Sequence, residues 1–116
     1  MATPTGLKGN FDLTALIIDA NVRHSPGVYA LGTAASATEL QIDYVGRSDD
    51  DVNQSLKTWV GSYRHFQFID SLTPLVAFEM ECRLWHTFSP RGNNVHPARP
   101  AKTWYYCPVT GCASFY

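Results

Sequence analysis

The sequence has no apolar run long enough to cross a membrane, because the longest one, Ala15-Leu16-Ile17-Ile18, ends at Asp19. It also lacks a basic segment followed by a long apolar segment near its start, which a secretory signal peptide would have. We therefore expect no association with a membrane, and a cytoplasmic location.

Cysteine is scarce: the chain has three, and an odd number without a secretory leader argues against a disulfide-bonded scaffold. Cys107 and Cys112 resemble half of a zinc knuckle, but the usual spacing has two intervening residues and no second such pair exists. His86, His96 or Cys82 would have to complete the site. We therefore expect no zinc at Cys107 and Cys112, and interpret them as small apolar residues or a redox-labile pair.

Acidic residues are absent after Glu81, although the whole chain has a net charge of -1. A charge asymmetry of this kind can form a basic patch that binds nucleic acid, or it can be an ordinary solvated surface. The sequence favours neither interpretation. The candidate nucleic-acid-binding residues along the chain are Arg47, Arg64, Arg91, Arg99 and Lys102.

With 116 residues, 45% of them hydrophobic and 16% charged, the chain has the length and composition of one folded domain. We divide it into a loose N-terminal lead-in (1–25), a core (26–97) and a basic, cysteine-containing C-terminal extension (98–116). No internal repeat or low-complexity segment interrupts it.

Two tyrosine-bearing segments, Gly27-Val28-Tyr29 and Tyr44-Val45-Gly46, each lie in a run typical of a strand, and small polar residues separate them. They predict a β-hairpin that carries two phenols. The simple alternative is a pair of ordinary, half-buried strand tyrosines, since tyrosine is common in strands.

The remaining pattern predicts helices and strands in alternation. Residues 11–22 fit a short helix or an extended segment equally well. The further predicted elements are a helix over 49–60, a third strand over 65–69, a helix from Thr73-Pro74 to about Phe88, and a final strand over 104–106. The predicted fold is thus α/β (α+β), with a central three-stranded antiparallel sheet flanked by helices.

The last predicted helix has an apolar face with one acidic residue, Glu81, in its middle. Burying an ionised carboxylate without a partner costs several kcal/mol, so Glu81 should lie beside a metal ion, a cation or strong hydrogen-bond donors. A structural ion pair with an arginine and a functional site are equally consistent with this position.

The order of these elements, with both tyrosine segments and the inward glutamate, resembles the GIY-YIG nuclease superfamily over residues 26–97. The resemblance implies a Mg²⁺- or Mn²⁺-dependent endonuclease that hydrolyses phosphodiester bonds in DNA. It implies that Glu81 binds the metal, that Tyr29 activates the attacking water and that Tyr44 supports the phosphate. The family's loop asparagine corresponds to Asn94, which we prefer, or to Asn93.

One part of the family pattern is missing, because Ser55 stands where the family has an arginine on the first helix and Trp59 stands where its partner would be. Arg47, which we expect to point away with its loop, or Arg64 and His65 would have to replace the lost charge. A deliberate replacement that inactivates the protein would also place a serine at Ser55.

This departure leaves rival functions open. A domain without the arginine could bind nucleic acid or a protein partner without cutting, and a small zinc-binding interaction module is a third hypothesis. With little appended to the core, specificity would come from the C-terminal extension, a homodimer or a separate partner chain.

Overall fold

The computed structural model describes residues 5–93 and 95–112. It contains strands and helices in the order β1 (Lys8–Asp12), α1 (Ala15–Asn21), β2 (Gly27–Ala34), β3 (Leu40–Ser48), α2 (Val52–Lys57), β4 (His65–Ile69) and α3 (Pro74–Phe88). The α+β class expected from the sequence is confirmed, as are the hairpin, the strand over 65–69 and the helix ending at Phe88.

The sheet has four antiparallel strands in the order β1-β4-β2-β3, so the prediction of three strands was wrong. The additional strand comes from the N-terminal lead-in, which we expected to be loose. Phe11 in β1 packs against Phe66 and Phe68 of β4, with ring centroids 5.5 Å and 5.7 Å away. These aromatic contacts between distant parts of the chain hold β1 at the sheet edge.

The sheet separates two apolar layers. On one side, Tyr29 and Leu31 of β2 pack with residues of α1 and α2, including Ile18 and Leu56. On the other side, Val28 and Val45 pack with Ala77 and Leu84 of α3. Because side chains alternate along a strand, each strand of the central hairpin contributes to both layers.

Each helix begins at a residue whose side chain accepts a backbone N–H. Thr14, Asp51 and Thr73 do this for α1, α2 and α3 respectively. Pro74 then occupies the first turn of α3, where no backbone donor is needed. The α2 helix starts later than the predicted 49–60 because Asp51 rather than Ser48 is its N-cap, and it ends earlier, at Lys57 with Thr58 as its C-cap.

The C-terminal extension forms neither a helix nor a strand within the described residues 95–112. The predicted strand over 104–106 is therefore wrong. Trp104 is 77% exposed and lies outside the sheet, so its aromatic run has no strand partner to pair with.

Within residues 5–93 and 95–112, no helix combines the length and the apolar character that a membrane crossing requires.

Candidate active site

The ring of Tyr29 lies across Gly46 on the neighbouring strand, to which it is paired in the hairpin. A Cβ atom at this glycine would overlap the phenol oxygen and ring of Tyr29. The hairpin therefore needs glycine at this position because the tyrosine of the first segment occupies the space that a side chain would take. The two tyrosine segments, far apart in sequence, form one packed unit.

The phenol of Tyr29 is only 4% exposed and accepts a hydrogen bond from the indole Nε1 of Trp59, at 3.0 Å. The Trp59 ring also contacts Tyr44, with centroids 4.5 Å apart, and the two tyrosine rings are 6.3 Å apart. In the sequence analysis, Trp59 stood at the position where the family has the partner of its helix arginine. Its position in the turn after α2 makes it a direct partner of both tyrosines.

Glu81 is buried, as its place on the apolar face of α3 predicted, and it forms an ion pair. Arg47 Nη1 donates to Glu81 Oε1 at 3.0 Å, and Arg47 Nε lies 2.7 Å from Asp49 Oδ1. The expectation that Arg47 points away was wrong, because its side chain is only 10% exposed and its guanidinium lies over the Phe78 ring.

Burial sets the protonation of these groups. It raises the pKa of Glu81 to about 7, against the opposing effect of the Arg47 charge. Burial also raises the pKa of the Tyr29 and Tyr44 phenols, and the Glu81 carboxylate adds a smaller effect in the same direction. The Tyr29 phenol is therefore protonated at neutral pH and is a hydrogen-bond donor rather than a base.

The tyrosines and the glutamate belong to opposite layers of the fold. Tyr29 packs with the α1 and α2 side, whereas Arg47 extends toward α3, where it meets Glu81. The strand between them, β3, is an edge strand of the sheet.

The loop after α3 reaches the hairpin through Asn93. Its side-chain Nδ2 donates to the Val45 carbonyl at 2.8 Å, and its Oδ1 accepts from the Val45 N–H at 3.3 Å. Its own carbonyl accepts from Trp85 Nε1 at 3.0 Å. Asn94, the asparagine preferred from the sequence, lies outside the described residues, and its neighbour Asn93 contacts the second tyrosine segment.

Ser55 is half-buried in α2 and its backbone N–H donates to the Asp51 carbonyl. No charged side chain comes from this position. His65 does not replace the charge either, because its Nδ1 accepts the Ala34 N–H at 3.0 Å and its Nε2 lies 3.5 Å from Asp12. These contacts hold His65 at the start of β4, opposite Gly32 of β2, whereas Tyr29 is paired with Phe68 near the end of β4.

The remaining candidate nucleic-acid-binding residues are spread over the surface. Arg64 is exposed, and Arg91 pairs with Asp43 at 3.0 Å while remaining 77% exposed. The guanidinium of Arg99 lies over the Trp104 ring at 5.2 Å, with Lys102 exposed nearby on the same extension.

The donor set fits a hard divalent cation in its chemistry. The carboxylates of Glu81 and Asp49 both face Arg47, and Mg²⁺ or Mn²⁺ prefers oxygen ligands of this kind. In this arrangement the Arg47 guanidinium supplies the positive charge between them. Arg47 donates to both oxygens of Asp49 and to Oε1 of Glu81, so a metal ion would have to bind through Glu81 Oε2 or displace the arginine.

A second group of possible metal ligands lies at the C-terminal end of α3 and in the segment that follows it. His86, His96, Cys107 and Cys112 each offer a ligand atom, and these atoms lie within 4.8 Å of one another. The sequence named Cys107 and Cys112 as half of a zinc site that His86, His96 or Cys82 would have to complete, and the fold brings both histidines to the two cysteines.

Comparison of the chain with family models, with curated proteins and with solved structures finds no match. Its function must therefore be inferred from the geometry of its own residues.

Proposed function

We propose that this protein is a divalent-metal-dependent endonuclease of GIY-YIG type that hydrolyses phosphodiester bonds in DNA. The observation that supports this most strongly is the buried pair of Glu81 and Arg47 at the edge of the tyrosine hairpin. A buried carboxylate with a raised pKa beside a fixed cation is typical of functional sites, although structural ion pairs share these features.

Arg47 is the residue that would compensate for the serine at position 55. Its guanidinium already lies against Glu81, so a phosphate entering there would meet a fixed positive charge. A planar guanidinium can bind two phosphate oxygens at once. Arg47 would thus neutralise the scissile phosphate from the hairpin, in place of an arginine on α2 at position 55.

The tyrosines would bind and orient rather than remove protons. Tyr29 is buried and its oxygen accepts from Trp59, so it would hold Trp59 and Tyr44 in position. Tyr44, half-buried beside it, would donate its O–H to a phosphate oxygen. The high pKa of both phenols makes either one a poor base at neutral pH.

Glu81 and Asp49 would hold the metal ion. A bound Mg²⁺ or Mn²⁺ would stabilise the negative charge that develops on the phosphate and on the leaving 3′ oxygen. Glu81 must be ionised for this, and a pKa of about 7 makes its ionised fraction sensitive to pH near neutrality.

The C-terminal extension offers a surface for the nucleic acid. Trp104 and Tyr106 are 77% and 58% exposed, and Arg99 and Lys102 lie on the same segment. Aromatic rings beside cationic side chains bind nucleic acid by stacking on bases and pairing with phosphates. This surface would hold the substrate while the hairpin contacts the scissile bond.

A second candidate function is nucleic-acid binding without cleavage. The Arg47–Glu81 pair favours it, because the arginine already satisfies the carboxylate that a metal would need. Under this proposal the domain retains the surface of the extension but no longer cuts.

A cleavage assay with Mg²⁺ or Mn²⁺ on supercoiled plasmid, branched DNA and single-stranded DNA and RNA distinguishes the two. The nuclease proposal predicts cleavage by the natural sequence, lost at least ~10²-fold in Glu81→Gln and in Arg47→Met. Glu79→Gln, on the same helix, is the matched control and should cut normally.

Cleavage that survives in Glu81→Gln would contradict the site assignment. Absence of cleavage in the natural sequence, together with cleavage by Ser55→Arg, would instead support the non-cutting domain. In that case its DNA affinity should fall steeply with salt, because phosphate contacts release counterions.

A further inference from the structure

We propose that His86, His96, Cys107 and Cys112 bind one zinc ion, and that this zinc fastens the C-terminal extension to α3. The four ligand atoms lie within 4.8 Å of one another, as the ligands of one ion must. Two imidazoles and two thiols are a common ligand set of structural zinc sites. This site is separate from the proposed Glu81 metal site and does not depend on the nuclease function.

The distances between ligand atoms agree with tetrahedral zinc. Cys107 Sγ lies 3.5 Å from His86 Nε2, and Cys112 Sγ lies 3.5 Å from His96 Nε2. Zn–S and Zn–N bonds of ~2.3 Å and ~2.0–2.1 Å at a tetrahedral angle place sulfur and nitrogen ~3.6 Å apart. Both sulfur–nitrogen pairs therefore have the separation expected across a single ion.

The orientation of His96 supports the same conclusion. Its Nδ1 lies 2.9 Å from the Pro97 carbonyl, which can only accept, so this nitrogen carries the proton. The neutral ring then presents the lone pair of Nε2, which is the atom near Cys112. Zinc-binding histidines commonly donate their second nitrogen to a carbonyl in this way.

Aromatic contacts hold the two rings in place. Trp85 meets the edges of His86 and His96, with ring centroids 5.0 Å and 5.2 Å away. The same indole donates to the Asn93 carbonyl, which fixes the loop leading to His96. The two imidazoles are therefore positioned by contacts that do not involve the metal.

The origin of the ligands shows what the zinc would do. His86 lies in the last turn of α3, whereas the cysteines flank a turn closed by the Cys112 N–H and the Val109 carbonyl at 3.1 Å. Within the described residues 95–112, only Pro97 and Pro100 are buried, and no helix or strand forms. A zinc ion bound to His86 and to these cysteines would add a fixed connection between this segment and the end of α3.

Zinc explains the cluster better than a disulfide does. A Cys107–Cys112 disulfide would use the two sulfurs and give no role to the histidine nitrogens, both of which face a sulfur at 3.5 Å. All three cysteines are free thiols in the structure. With four protein ligands the site is closed, which is typical of structural rather than catalytic zinc.

The test measures zinc in the full-length protein, purified without chelators from zinc-supplemented medium, by elemental analysis. We expect about one zinc per chain, and loss of that zinc in Cys107→Ser/Cys112→Ser and in His86→Asn/His96→Asn. The matched control is His24→Asn, an exposed histidine away from the cluster, which should keep the metal.

Cobalt provides a measurement that needs no variant. After removal of bound metal under reducing conditions, added Co²⁺ should give the intense visible absorption of a tetrahedral thiolate complex with one equivalent bound, and Zn²⁺ should abolish it.

Less than a tenth of an equivalent of zinc together with no cobalt complex would overturn the proposal. Zinc that persists in both double variants would overturn it as well. A natural protein with two fewer reactive thiols and no metal would show that Cys107 and Cys112 form a disulfide, again contradicting the proposal. None of these results bears on the cleavage assay, so the two proposals fail independently.

Discussion

Two clusters meet α3: a buried pair of opposite charges at Glu81, and a half-buried set of two imidazoles and two thiols at His86. At Glu81, a buried acid is paired with Arg47, a cation that belongs to the chain itself. At His86, two imidazoles and two thiols face one another, with their ligand atoms within 4.8 Å. The first cluster is electrostatically satisfied by the protein, whereas the second has the composition and spacing that a metal ion satisfies.

The difference shows that proximity of possible ligands does not by itself indicate a metal. A carboxylate near a second carboxylate can be neutralised by arginine, which competes with the ion. Imidazole nitrogens and thiol sulfurs attract arginine only weakly, so arginine does not compete with a metal ion for them. Thiolate ligands favour soft or borderline metals. We therefore expect zinc to be retained through purification, and any magnesium at Glu81 to be bound weakly and only together with substrate.

The largest effect that tests this comparison is expected from Arg47→Met. It leaves Glu81 buried without its cation, which should lower the free energy of unfolding by ~3–5 kcal/mol, measured by urea denaturation. Arg91→Met is the control, since the exposed Arg91–Asp43 pair should contribute less than ~1 kcal/mol. Equal effects of the two substitutions would show that the Glu81 pair is no more important than a surface pair.

The pH dependence of stability should give a smaller effect. Because the pKa of Glu81 is raised from 4.5 to about 7 in the folded protein, protonation favours folding. The contribution is complete below pH 4.5 and is lost as the pH rises to about 7, with a total of up to ~3 kcal/mol.

Glu81→Gln should abolish this dependence, so the difference in unfolding free energy between the natural protein and the variant should change across that interval. A constant difference from pH 4.5 to 7 would mean that Arg47 keeps the carboxylate ionised throughout. The cluster would then be a permanent ion pair, and the proposed pH sensitivity of metal binding would be wrong.

The smallest effect is expected from Trp59→Phe, which removes the hydrogen bond to Tyr29 but keeps an aromatic ring. We expect a loss of ~1 kcal/mol in the free energy of unfolding, since one partly buried hydrogen bond is removed. Trp104→Phe, at a 77% exposed position, should have almost no effect. If neither substitution changes the free energy of unfolding, the Trp59–Tyr29 hydrogen bond does not contribute to stability.

Sequence reasoning succeeded where a pattern is local. The alternating residues over 65–69 gave β4 at its observed bounds, and Thr73-Pro74 gave the start of α3. The helical period placed Glu81 on the buried face. Each of these features depends on residues within a few positions of one another.

It failed where the partner is distant in the sequence. Lys8–Asp12 forms a strand because it hydrogen-bonds to the exposed edge of β4. Residues 104–106 do not lie beside a strand edge and form no strand. Arg47 was expected to face solvent because nothing near it in the sequence shows that α3 brings a carboxylate to it. The one available sign was the unpaired Glu81, which required some cation.

The sequence by itself determined the α+β class, the tyrosine hairpin and the inward glutamate, because periodicity, turn residues and helix caps act over short distances along the chain. The tertiary structure alone decided that Arg47 pairs with Glu81, that Trp59 bonds Tyr29 and that two histidines meet two cysteines. These contacts join residues from separate elements, and their geometry follows from how the helices and loops pack on the sheet rather than from spacing.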